Sequence, residues 1–187
     1  MAKNRAVKRT RSAPAGEHSV GGQTEPAEDS EAAESVRWLN EEELHAWMAL
    51  AGMMSTLPAA MDRQLQRDAG LTHFEYQVFV GLSRAPERTL RMSELADFTA
   101  GQLPRLSQVA ARMERRGWLT RRPDPTDGRY TLVGLTDAGM AKLEASAPGH
   151  VSAVRRLVFD SLSPAQVRQM AQIARRIVQA AGSAELH

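Results

Sequence analysis

Apolar residues recur along this chain with regular spacing, and the spacing predicts most of its elements. Leu44, Trp47, Met48, Ala51, Met54, Leu57, Met61 and Leu65 follow one another at three- and four-residue steps, the period of one helix face. They predict a long amphipathic helix over about residues 40–68. Pro58 should kink it, having no backbone N–H to donate, and Gly70 should end it. Thr72-His73-Phe74-Glu75 reads as a capping box, in which a threonine and a glutamate three residues apart satisfy each other's orphan N–H groups. It opens a second helix, 73–84, closed by Ala85-Pro86. A short extended piece, Leu90-Arg91-Met92, leads to Ser93, the expected cap of a third helix holding Glu94, Leu95, Ala96 and Phe98. After the turn Thr99-Ala100-Gly101, residues Leu103, Leu106, Val109, Ala110 and Met113 mark a fourth helix over 102–116. Pro104 is tolerated only in its first turn, and Gly117 stops it.

The period then changes. Trp118-Leu119-Thr120-Arg121-Arg122 reads as a strand, residues 123–128 are dense in turn chemistry, and 130–135 alternate as a second strand. A hairpin therefore follows directly on two short helices joined by a tight turn. A fifth helix is expected over 137–159, with a bend or break at Pro148-Gly149. Ser163-Pro164-Ala165-Gln166 caps a sixth, which runs to about Ala180 with Val167, Met170, Ile173, Ala174, Ile177 and Val178 as its apolar stripe. The predicted fold is mainly α with a small β-wing: a winged helix-turn-helix over 71–136, flanked by dimerisation helices over 36–70 and 137–182.

Composition narrows the function classes. The 187 residues include no cysteine, which excludes disulfides, thiolate metal sites and cysteine redox switches. No apolar run approaches the ~18 residues that span a membrane. The charged N-terminus lacks the apolar core of a secretory signal, so a cytoplasmic location is expected. The net charge of +2 is small; its distribution carries more. Residues 1–11 hold Lys3, Arg5, Lys8, Arg9 and Arg11 without an acid, and 12–35 hold six acids without a lysine or arginine. Both pieces are poor in large apolar residues, so 1–35 is expected to be a disordered extension. Between Arg88 and Thr136, nine arginines stand against five acids, so positive charge is concentrated on the helix-turn-helix and hairpin.

That concentration points to double-stranded DNA. The second helix of such a unit enters the major groove, and its face opposite Leu106, Val109 and Met113 carries Arg105, Ser107, Gln108 and Arg112. Arginine can bond guanine bidentately and glutamine can bond adenine. Arg112, Arg115 and Arg116 lie further along, where phosphates are nearer than bases. The hairpin adds Arg121, Arg122 and, near its tip, Arg129. An arginine there suits a narrow minor groove, and Asp127 is placed to hold its side chain.

In this order, several segments resemble the MarR family of bacterial transcription regulators over about residues 38–180. They are 91–96 (RMSELA), 112–122 (RMERRGWLTRR), 127–129 (DGR), 135–139 (LTDAG), 147–151 (APGHV) and 162–166 (LSPAQ). The resemblance implies a homodimer held by the first, fifth and sixth helices and a pseudo-palindromic operator. Each wing arginine would lie in the minor groove, and a small anionic or aromatic effector would relieve repression. It assigns DNA contacts to Pro104, Arg105, Ser107 and Gln108 and the wing pair to Asp127 and Arg129. Ser93, Gln102, Arg112, Arg121 and Arg122 complete the expected DNA surface. The chain departs from the family at Gln102 and Arg105, where the family commonly carries serine or threonine; the helix cap is weaker for it, and the sequence read should differ.

Dimerisation is also expected on physical grounds, because the end helices carry more apolar surface than a small helix-turn-helix unit can cover. Trp47, Met54, Arg63, His73 and Tyr76 mix aromatic surface with polar tips and are the candidates to line an effector cleft. No cofactor is indicated. The alternatives are a winged-helix protein-interaction module without DNA contacts and a metal-responsive regulator. His45, His73 and His150 are far apart, and none forms an i, i+4 pair with a second ligand. No nucleophile elbow, phosphate loop or paired His–carboxylate motif supports an enzyme.

Overall fold

The computed structural model describes residues 36–182; the extension predicted over 1–35 lies outside the described residues. The elements run α1 (Glu41–Ala69), α2 (His73–Arg84), β1 (Thr89–Arg91), α3 (Met92–Phe98), α4 (Leu103–Arg115), β2 (Leu119–Pro123), β3 (Thr131–Leu135), α5 (Asp137–Val154) and α6 (Pro164–Ala180). A 3-10 turn at Pro86–Arg88 precedes β1, and a π-helical turn at Arg155–Phe159 follows α5. Among the described residues, no helix is long and apolar enough to cross a membrane.

Capping chemistry explains most helix starts. The Asn40 carboxamide accepts from the Glu43 N–H at 2.8 Å, and Glu43 accepts from the Asn40 N–H at 2.9 Å. Thr72 with Glu75 and Ser163 with Gln166 repeat the arrangement on α2 and α6. Each such cap contributes about 1 kcal/mol. Gly70 ends α1 in the left-handed conformation at φ 62°, which costs glycine least.

Some local expectations are corrected. α3 begins one residue before Ser93: Arg91 is the N-cap, its N–H donating to Glu94 Oε2 at 2.8 Å, and Ser93 lies inside the helix. The glutamate satisfies the N–H of the cap residue itself. α1 continues as one helix through Pro58. α5 likewise runs through Pro148 without a break, and the irregularity falls later, in the π turn. The extended piece before α3 is a third strand. It pairs antiparallel with β3, Thr89 opposite Gly134 and Arg91 opposite Leu132, giving a sheet of order β1-β3-β2. The hairpin strands lie one residue later than expected at β2 (119–123) and at the start of β3 (131).

The core gathers beneath this sheet. Leu65 of α1, Val78, Phe79 and Leu82 of α2, Leu95 of α3, Leu106, Ala110 and Met113 of α4, and Val133 of β3 are completely buried. Each large apolar side chain among them is worth about 1.5–3 kcal/mol of burial. The recognition segment is thus anchored by its apolar face, and the opposite face is left to solvent. α6, in contrast, contributes no buried residue.

Candidate nucleic-acid interface

The apolar stripe of α4 fixes which side chains face outward. With Leu106, Val109, Ala110 and Met113 buried, Pro104, Arg105, Ser107 and Gln108 are exposed, and Gln102 is exposed at the N-cap. Gln102 makes no side-chain capping bond, so the first N–H groups of α4 lack that partner. The turn before it is tight for two reasons. Ala100 adopts φ 46°, and a Cβ on Gly101 would come within 2.8 Å of the Phe74 ring. Phe74 also carries the Arg105 guanidinium 4.5 Å above its ring, a cation–π contact that holds the arginine at the edge of α2.

The wing tip is built from short-range bonds. Arg129 grips Asp127 with Nε to Oδ1 at 3.0 Å and Nη2 to Oδ2 at 2.8 Å, and the Arg129 N–H also donates to Oδ1. The Arg129 side chain is 86% exposed. Its bonds to Asp127 hold that carboxyl below the usual carboxylate range, so the clamp persists in mild acid. Arg122 is exposed on β2.

Two of the expected DNA arginines are engaged inside the protein. Arg121 forks onto Glu114 of α4 at 2.9 and 2.7 Å, joining β2 to the recognition helix. Arg112 donates from Nε to Glu75 Oε1 at 3.0 Å, with Arg116 3.9 Å from the same oxygen. Glu75 is buried, and its other oxygen accepts from the Thr72 N–H and hydroxyl. Burial pushes its carboxyl up; the bonds from Thr72 and Arg112 outweigh that and leave it below the ordinary glutamate value. Glu75 therefore caps α2 and anchors α4 at once, a role the sequence reading missed because the partner lies 37 residues away. Ser93 is half-buried at the start of α3.

A solved structure shares this architecture in detail. Sco3205 of Streptomyces coelicolor, a MarR family transcriptional regulator crystallised in complex with DNA, is 41% identical, with a TM-score of 0.75 over 79% of this chain and 92% of that one. The chain belongs to the MarR family of transcription regulators. The MarR family model matches residues 69–129, from the end of α1 to the wing arginine. AbsC, a MarR family regulator of the same organism, is 30% identical with a TM-score of 0.73, covering 80% of this chain and all of that one. The HTH-type transcriptional regulator YdcH of Bacillus subtilis is 29% identical over 80 residues, 42% of this chain and 54% of that protein's length. As a member of this family the chain is a transcription regulator with the winged-helix fold, not an enzyme.

In this MarR-family regulator the expected effector residues divide. Trp47 and Met54 are half exposed on the outer face of α1, and Arg63 is exposed further along it. His73 and Tyr76 instead pack with His150 of α5, their rings 6.0 and 4.3 Å from its ring, and Gln64 of α1 lies 3.3 Å from His150 Nδ1. Trp47, Met54 and Arg63 lie outside that ring cluster. Of the five, His73 also lines a cleft of about 780 Å³ between α1, α2 and α4, with Pro58, Phe74, Arg105, Gln108 and Arg112 on the other walls. Among the described residues, no group of three or more His, Asp or Glu is arranged to hold a metal ion.

The histidine pair predicts a pH dependence. Burial lowers the pKa of His73, partly offset by Asp62; burial also lowers that of His150, and His73 adds to the effect. Folding favours the neutral rings, so their contribution is complete above about pH 6.5. It is lost as the pH falls through the folded-state values, because the unfolded chain then binds more protons. Thermal melts in a low-salt buffer series from about pH 8 to 5 should show the midpoint falling below about 6.5. The fall should be shallower in His150→Gln; an equal slope in the two proteins would count against the assignment.

Proposed function

We propose that this regulator binds a pseudo-palindromic operator as a homodimer and represses transcription until a small anionic or aromatic ligand releases it. The observation that carries the reading is the pairing of two exposed elements. One is the polar face of α4, with Arg105, Ser107 and Gln108; the other is a wing tip whose Arg129 is held outward by Asp127. Arg105 and Gln108 have the donors to read base edges in the major groove, and Arg129 fits the negative potential of a narrow minor groove. Pro104 and Gln102 sit at the helix start, beside the same groove. Arg122, with its exposed guanidinium, is assigned to phosphate. Arg112 and Arg121, engaged with Glu75 and Glu114, act chiefly by holding α4 and β2 in place.

A two-fold dimer sets the two recognition helices about 34 Å apart, one turn of DNA. The apolar residues left exposed on α1 and α6 support that pairing. Repression follows from occupancy: a dimer seated over a promoter excludes the polymerase. Release follows from the cleft. Arg105 and Gln108 belong both to its wall and to the DNA-facing side of α4. An aromatic carboxylate that pairs with Arg105 and stacks near Phe74 withdraws the same side chain that reads DNA, and it favours the unbound arrangement by that difference in affinity.

Fluorescence anisotropy with a labelled fragment from the promoter region of its own gene tests the reading. Binding should be submicromolar at low salt and weaken steeply as salt rises. Arg129→Ala should bind about tenfold more weakly, one contact among many. Benzoate or salicylate should release the wild-type complex. Absence of any salt-sensitive binding by the wild type would favour the protein-interaction module instead.

A further inference from the structure

The wing is not an independent hairpin. Asp124, in the polar turn after β2, is only 6% exposed, and both of its oxygens are used. Oδ1 accepts from the Thr126 N–H at 2.8 Å and the Thr126 hydroxyl at 2.6 Å. Oδ2 accepts from Arg91, Nε at 2.9 Å and Nη2 at 2.8 Å. The Asp124 N–H donates to the Tyr130 carbonyl at 2.9 Å, closing residues 124–130 into a loop. Arg91 sits 4.6 Å over the Tyr130 ring, so its guanidinium holds both ends of that loop.

Arg91 itself is fixed from the other side. It is the last residue of β1, opposite Leu132 of β3, and the N-cap of α3 through Glu94. Its side chain thus reaches across β3 from one edge strand to the end of the other. Inside the loop, Tyr130 N–H donates to the Asp127 carbonyl, and Asp127 holds Arg129. The chain of contacts runs from the first helix of the helix-turn-helix, through Arg91 and Asp124, to the wing arginine. A two-stranded hairpin alone is marginal in water, and this strut ties its tip to the element that sets α4.

We propose that Arg91 and Asp124 are positioning residues for DNA binding, a strut that fixes the reach of Arg129 relative to the recognition helix. The proposal rests on the reading of Arg129 as a minor-groove contact. Neither residue need touch DNA, and the Arg91 charge is already matched by Asp124.

Electrostatics and positioning predict opposite signs for one substitution. Asp124→Asn removes a negative charge beside the DNA surface, which by charge alone would tighten binding. The strut predicts weakening, by about fivefold. The same change made in Arg129→Ala should produce no weakening, because the residue it positions is gone. Arg91→Lys, which keeps the charge and loses the fork, should weaken binding in the wild-type background and leave Arg129→Ala unaffected. It also keeps the test valid should Asp124→Asn fold poorly, which thermal melts report. Equal or tighter binding by both strut variants would overturn the proposal, as would equal losses in the two backgrounds. If Arg129→Ala alone binds like the wild type, the minor-groove reading fails, and the strut has nothing to position.

Discussion

Replacing Ile173 and Ile177 together by glutamate should turn the protein into a monomer and weaken operator binding by more than about 100-fold. Both lie on α6 and are 57% and 46% exposed. They continue a stripe with Val167, Met170 and Val178 at helical spacing, and none of the seventeen residues of α6 is buried. Most of a helix's stability in a protein comes from packing its apolar face, so α6 needs a surface to lie against. The N-terminal half of α1 has the same need: Leu44, Trp47 and Met48 are all about half exposed or more. Contiguous apolar surface of this kind marks an interaction site, and a second copy supplies matching surface by symmetry, about 800 Å² per partner in an ordinary interface. Two charges placed in it would each be desolvated without a partner. Sedimentation velocity on wild type and double variant, with anisotropy on the same samples, checks the result. A wild type that stays monomeric at micromolar concentration, or a double variant that stays dimeric and binds, would defeat the assignment. Circular dichroism adds a third reading, because α6 should lose helicity once its partner is gone.

Legibility in the sequence tracked how local each interaction is. The helices were readable because their signals lie within one turn: Thr72 with Glu75, Ser163 with Gln166, and the apolar period of α4. The Asp127–Arg129 clamp was readable for the same reason, its partners being two residues apart. β1 was not recognised as a strand. Three residues are too few to show alternation, and its partner Gly134 lies more than forty residues on. Glu75 was read only as a cap because its bond to Arg112 crosses from α2 to α4. Ser93 has the chemistry of a cap, but α3 begins at Met92, directly after β1 ends, and so takes the serine inside. Residue chemistry alone suggests the effector candidates, while packing gathers His73 and Tyr76 about His150 and leaves Trp47, Met54 and Arg63 outside that cluster. Their sequence context suggests DNA contacts for Arg105 and Gln108; that they also wall the cleft required the fold.

Gly139→Ala should destabilise the protein by about 1–3 kcal/mol, despite alanine being the better helix former. Gly139 lies in the first turn of α5, where Thr136 is the cap: its hydroxyl accepts from the Gly139 N–H at 3.0 Å. Thr136 also donates its own N–H to the Trp118 carbonyl at 3.1 Å, drawing the helix start onto the strand entry at β2. A Cβ at Gly139 would overlap that same Trp118 carbonyl and lie 2.6 Å from a Leu135 methyl. The methyl can turn aside, but the carbonyl is backbone and already bonded. Relief therefore requires α5 to move away from the wing. Gly149→Ala, ten residues further along the same helix, supplies the control. Its Cβ would meet only Gln64 Nε2 at 3.5 Å, ordinary contact, so the helix preference of alanine, up to about 1 kcal/mol, should appear as added stability. Thermal melts should move in opposite directions, down by several degrees for Gly139→Ala and up by about 2 °C or more for Gly149→Ala. If both substitutions stabilise, the contact between α5 and the wing is looser than described; if both destabilise, α5 is strained at Gly149 as well. The opposite signs, from one chemical change made twice on one helix, isolate the close approach of Gly139 to Trp118 as the feature that joins the wing to α5.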